Sequence, residues 1–233
     1  MSPRVHGVVR AGHPVTAARV RLVDWQDLAA VVSDDAPDPL AHLEMLSALV
    51  PAGPVVPLRF GTTAVDDDAV RDDVLARSAP RLRVLLDRLD GAVEVHAYLR
   101  FDENAALQAV YDGHHAGWRT GGHLDLSARI RLGEQVAHHL VAWRRARADE
   151  LLAPVAAVAR EHVALADREH TEERHAFLVP TGEVGAVRAA IAGLSDPGAD
   201  AECVGPLPAY SFLDEPAATR ATAGQAPASR WGW

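Results

Sequence analysis

Two prolines stand two residues apart in VGPLPAYSF, Val204 to Phe212. Each lacks a backbone donor and holds its own φ near −65°, so neither Pro206 nor Pro208 can lie inside a helix or a central strand. The stretch is expected to be an extended edge ribbon, with Tyr210 and Phe212 projecting to one side at a period of two. In a chain that is only 5% aromatic, such a ribbon either clasps its own domain or serves as a docking surface.

The segments before it alternate between two periodicities. Val-rich runs at 5–9, 19–23 and 29–32, set apart by Gly, Pro and Asp, predict strands. Asp38 before Pro39 predicts a helix start, with Leu40, Leu43, Leu46 and Leu49 as its apolar positions. Val55 to Phe60 predicts another strand. A helix over about 65–90 carries Pro80, which should kink or divide it, and Gly91 ends it. Ala92 to Phe101 alternates Val93, Val95, Ala97 and Leu99, the strongest strand pattern of the chain. A helix over 103–111 and a loop follow. A long helix from Leu126 is expected to reach Ala153, stop or bend at Pro154, and give way to a second helix running to about Asp167. His175 to Val179 and Ala201 to Gly205 are expected strands, with a helix between them. The fold class is therefore α+β in two domains: an N-terminal α+β unit over 1–91 and a ferredoxin-like domain over 92–213. An inserted helical, coiled-coil-like extension is expected at about 124–167. Residues 214–233 read as a low-complexity tail.

Composition narrows the function classes. A 48% apolar, 24% charged chain of 233 residues has the balance of a soluble globular protein. Its net charge of −9 argues against non-specific nucleic-acid binding, which needs a basic surface. No apolar run approaches membrane-spanning length, and the N-terminus lacks a secretory h-region, so a cytoplasmic protein is expected. The single cysteine, Cys203, excludes an intrachain disulfide and fits an inert, buried thiol.

Enzymatic signatures are missing from the sequence. There is no phosphate-binding loop, dinucleotide fingerprint, H-E-x-x-H or nucleophile elbow. The histidines could carry chemistry: His114, His115, His123, His138, His139, His162, His170 and His175, with Glu134 sharing a helix face with His138. Their spacings match no ligand pattern, so they are expected to be solvated surface groups, with no cofactor and no bound metal. The arginines of Trp143 to Glu150 alternate with acids, as on the wet face of a helix.

Two segments add a more specific indication. VVPLRFGT (Val55 to Thr62) and VGPLPAYSF resemble the two signature stretches of the gas vesicle protein F/L family (GvpF/GvpL): a Pro-x-Arg-Phe-Gly turn after a strand, and a closing Gly-Pro-x-Pro-x-Tyr-x-Phe ribbon. His42 in the helix before the first motif, Leu89-Asp90-Gly91, GAVEVHAYLRF and HAFLVP fall where the family has them. The resemblance spans about Val5 to Leu213. Between the closing prolines stands Leu207, where the family commonly has an aromatic, and His-Ala-Phe replaces the frequent Asn-Ala-Tyr. The resemblance implies a non-enzymatic assembly factor or minor shell-associated component of gas vesicles. Its implied partners are the small, very apolar shell protein and other accessory proteins. The implied structural or partner-binding residues are Arg59, Phe60, Gly61, Pro206, Pro208, Tyr210 and Phe212. The alternative from the residues alone is a metal-dependent or small-ligand-binding enzyme on a ferredoxin-like core.

Overall fold

The computed structural model describes residues 2–15, 20–35, 38–118, 125–166, 171–194, 196 and 198–214, with the backbone alone at 114–118. His123, His170 and the tail from 215 onward lie outside the described residues. The elements are β1 (Arg4–Arg10), β2 (Arg21–Trp25), β3 (Leu28–Ser33), α1 (Pro39–Leu49), β4 (Val56–Pro57), α2 (Asp67–Ala69), α3 (Arg77–Leu89), β5 (Ala92–Phe101), α4 (Glu103–Trp118), α5 (Leu126–Val158), β6 (Glu161–Ala164), β7 (Glu172–Pro180), α6 (Val184–Ala192) and β8 (Ala199–Leu207). They build two four-stranded antiparallel sheets, ordered β2-β3-β1-β4 and β6-β7-β5-β8. Two compact units emerge. Of the described residues, one comprises those within 2–95, 178–181 and 205–214; the other comprises those within 96–177 and 182–204.

In the first unit β1 pairs with β3 from Arg4↔Ser33 to Arg10↔Leu28, and β2 pairs with β3 from Arg21↔Val32 to Trp25↔Leu28. All six residues of β3 are buried, so both faces of this strand are covered. Leu46 and Leu49 of α1 pack on Val9, Ala29, Val31 and Val55. The helical run over 67–89 packs against β1, β2, β3 and β4, with Val70, Val74, Leu75, Leu82 and Leu86 fully buried.

Asp38 caps α1, its side chain accepting from the Ala41 N–H at 2.8 Å, with Pro39 at the helix start. The buried positions of α1 differ from the expected leucine series. His42, Leu46 and Leu49 are buried and Leu40 is 64% exposed. A strict three-residue repeat drifts off a 3.6-residue face, whereas i, i+4, i+7 stays on it. Pro80 does not divide the next helix. A π-helical segment, Val70–Ala76, joins α2 to α3, and the helical run continues through Pro80, inside α3 in the turn that follows that wider segment.

In the second unit α5 presents Arg144, Ala148, Leu152 and Val155 as its buried stripe. Arg144 forms a buried ion pair with Glu173 of β7 at 3.7 Å, and Arg147 binds Asp196 through Nε at 2.8 Å. Three expectations are corrected here. The helix over 103–111 continues to Trp118. The helix from Leu126 passes through Pro154 to Val158, and no second helix follows it. Residues 161–164 form β6 instead: EHVA is short, and pairing with a neighbouring strand overrides the helical propensity of the surrounding alanines. Cys203 is half-buried, not buried, and burial raises its thiol pKa above the ordinary value, so it stays protonated at neutral pH.

A groove floored by a buried polar string

The two motifs read from the sequence meet in the first unit. β4 ends at Pro57, and the Leu58 N–H donates to the His6 carbonyl at 2.8 Å. The chain then turns: the Thr62 N–H and hydroxyl both donate to the Arg59 carbonyl, at 3.1 and 2.7 Å. Gly61 has φ +86°, a conformation that side chains with a Cβ resist. The expected strand over 55–60 is thus shortened to its first part. Arg59 and Phe60 do not alternate between faces; both are exposed, Phe60 to 45%. Among the described residues the Arg59 guanidinium has no ion-pair partner.

The closing motif also departs from a uniform ribbon. β8 is an edge strand and contains Pro206, as its missing donor requires. Gly205 has φ +146°, and a Cβ there would lie 3.0 Å from the Glu94 carbonyl oxygen, so a larger residue is excluded. Tyr210–Phe212 is a 3-10 turn, not an extended segment, because Pro208 breaks the ladder and the Tyr210 N–H closes back on its carbonyl at 2.8 Å. The turn separates the two rings: Phe212 is 3% exposed and Tyr210 37%. Glu94 fastens it, accepting from the Ser211 N–H at 2.9 Å and the Ser211 hydroxyl at 2.7 Å. Arg81 donates to the Leu213 carbonyl at 3.0 Å and Arg88 to that of Asp214 at 3.1 Å.

Both turns line one groove of about 400 Å³, with Pro39, Leu43, Pro57, Phe60, Tyr210 and Leu213 among its walls. The Phe60 and His42 rings meet in a T-shaped contact, centroids 5.5 Å apart at 74°.

Beneath lies a string of polar groups that motif reasoning missed. Asp35 carbonyl and Ser33 hydroxyl are 3.0 Å apart, Ser33 Oγ and His6 Nε2 2.8 Å, and His6 Nδ1 and His42 Nδ1 2.9 Å. His42 Nε2 then meets the Tyr210 hydroxyl at 2.8 Å, which reaches the Leu58 carbonyl at 3.3 Å. Both ends are carbonyls, which only accept, so five contacts need five protons. A neutral serine, two neutral imidazoles and a phenol supply four. With four protons for five contacts, one contact of the string is left without its proton, and one added imidazolium proton would complete all five. Burial, then the positive charges of His42 and Arg4, oppose that proton and lower the His6 pKa to about 4. Burial also lowers that of His42, against the Leu58 carbonyl that favours its protonated form. Burial, with Glu94 as the lesser cause, pushes Tyr210 up to about 12, so the phenol keeps its proton.

Ser33 and His6 have the spacing of a nucleophile and its base, but they are 2% and 3% exposed. No substrate reaches them, so the pair is structural. The one hint of the string in the sequence is that His42 stands four and seven residues before Leu46 and Leu49, on the buried stripe. Of the histidines singled out by sequence, His138 and His162 are exposed, His139 is half-buried, and His175 is buried, contrary to the surface position expected for it.

Comparison with known proteins agrees with the motifs. The family of gas vesicle synthesis proteins GvpL/GvpF matches residues 5–214. Gas vesicle protein F of Streptomyces sp. (strain CB03234) is 32% identical over 161 residues, 59% of this chain and 67% of that protein. The crystal structure of GvpF from Anabaena sp. PCC7120 aligns with a TM-score of 0.78 at 18% identity, covering 92% of this chain and 99% of that one. GvpF from Microcystis aeruginosa aligns with 0.73 at 14% identity over the same shares. With its two signature turns lining one groove and the family matched over 210 of 233 positions (5 to 214), this chain belongs to the GvpL/GvpF family of gas vesicle synthesis proteins.

Proposed function

We propose that this chain is a non-enzymatic gas vesicle assembly factor that holds the small apolar shell subunit, and other accessory proteins, at the groove between its two signature turns. The family is one of gas vesicle assembly proteins and not a known enzyme family. The observation that carries the reading is the exposure of Phe60 (45%) in that groove, beside an Arg59 with no ion-pair partner among the described residues. A shell subunit has apolar surface and strand edges unpaired before it joins the shell. An apolar ring offers such a surface contact area, and a guanidinium fork offers donors to its carbonyls or carboxylates. No helix among the described residues is long and apolar enough to cross a membrane, and the acidic net charge speaks against nucleic acid; the reading places the protein in the cytoplasm on gas vesicles. The strand order β6-β7-β5-β8 with its intervening helices supports a ferredoxin-like arrangement for the second sheet.

The test is co-expression with a tagged shell protein, followed by capture. The parent chain should be recovered. Phe60→Asp and Arg59→Glu, both at exposed positions, should melt like the parent and lose capture by tenfold or more. No capture of the parent overturns the partner; equal capture of parent and both variants overturns the groove.

A further inference from the structure

The second unit gathers three groups that sequence spacing kept apart. Asp149 follows Ala148 of the buried stripe of α5, His162 lies on β6, and His175 on the adjacent strand β7. One ligand atom from each lies within 4.8 Å of the other two. We propose that Asp149, His162 and His175 form a binding site for one zinc-class divalent cation, independent of the groove and of any partner bound there.

The donor set selects the class. Two imidazoles and a carboxylate suit Zn²⁺ and its neighbours in the first transition row, whereas Mg²⁺ and Ca²⁺ take oxygen ligands. Zinc bonds of about 2.0–2.2 Å place tetrahedral ligand atoms about 3.4 Å apart. Side-chain rotation has to close the remaining gap, which is at most about 1.4 Å per pair on that geometry. The imidazoles are held for it. The His162 and His175 rings stack at 6.0 Å and 18°, and Phe177 stacks on both, at 5.5 Å and 17° and at 6.3 Å and 20°. His175 is 3% exposed, while Asp149 and His162 are exposed. One ligand is thus anchored in the fold, and two stand at its surface with room for a water as fourth ligand. A bound cation would tie the buried end of α5 to β6 and β7.

The sequence disguises the site because its ligands come from three elements, thirteen residues apart each time. Neither interval resembles the short spacing of a contiguous motif.

The experiment uses the full chain without a polyhistidine tag, stripped with chelator, and titrated with ZnCl₂ or MgCl₂ while heat release and melting temperature are followed. Saturation at one zinc per chain with a raised melting temperature, and no response to magnesium, is expected. Co²⁺ should give the visible absorption of a tetrahedral site. His162→Ala and Asp149→Asn, both at exposed positions, should each weaken zinc binding at least about tenfold, while the control His138→Ala/His139→Ala should bind like the parent. Absence of saturable binding, full binding by His162→Ala, or loss of binding in the His138/His139 control would overturn the assignment.

Discussion

Phe212→Ala tests whether the closing turn clasps the first unit together. The ring is 3% exposed, and its turn is anchored by two hydrogen bonds to Glu94, itself 1% exposed. Truncating a buried phenylalanine removes its transfer free energy and leaves a cavity, together about 3–5 kcal/mol. For a chain of this length that corresponds to a fall in melting temperature of about 6–20 °C. Urea unfolding followed by tryptophan fluorescence reads the stability, and an unchanged slope against denaturant shows that the variant unfolds the same structure. Any loss of shell-protein capture should follow the unfolded fraction and vanish when both proteins are compared well below their midpoints. A stability loss under about 1 kcal/mol, set against the burial energy of a phenylalanine, would show that the ring is not a core group and that the turn is no clasp.

Three further outcomes are expected. Tyr210→Phe keeps the groove wall but leaves His42 Nε2 without its partner, which should cost about 1–3 kcal/mol; stability equal to the parent would dismiss the string as a stabilising element. Acid should weaken the fold through His6. Its folded pKa of about 4 lies below the ordinary 6.5, so the unfolded chain binds the extra proton first, and stability is full above about pH 6.5 and declines toward pH 4. The loss from this group is about 2 kcal/mol at pH 5, measured as the difference in pH dependence between the parent and His6→Asn; identical profiles would refute the assignment. Glu94→Gln retains an acceptor but loses charge assistance to Ser211, so urea titration should show a loss of about 1 kcal/mol, and a gain in stability would contradict the anchoring role.

Much of the fold was legible because its signals are local. Asp38 with Pro39, the alternation over Ala92 to Phe101, and Gly61 at its positive φ each state a backbone requirement within a few residues. The errors share one cause, tertiary pairing that overrides local preference. EHVA reads as helix beside its alanines and becomes β6 because β7 lies next to it. Pro80 reads as a break, yet a π-helical segment directly before α3 joins the helices into one run that continues through it. The site shows the same division. Arg59, Phe60, Tyr210 and Phe212 stand in recognisable strings, while His6, Ser33 and Glu94 enter from strands and meet their partners across 27 to 117 positions of sequence, and carry no motif of their own.

The string explains why the two turns belong together physically. Tyr210 presents its ring to the groove and its hydroxyl to His42, so the groove wall and the interior are set by one side chain. His42 in turn meets the Phe60 ring at a steep angle and His6 through Nδ1. A displacement of Phe60 by a bound partner therefore bears on the imidazole that aligns Tyr210, within a string one proton short of full pairing. Packing contacts alone would let each wall move separately. Hydrogen bonds couple them through shared groups, because each imidazole contacts two neighbours and its tautomer sets which of the two it donates to. On this view the groove's shape is fixed from beneath, and the exposed residues Phe60 and Arg59 are free to be chosen for contact.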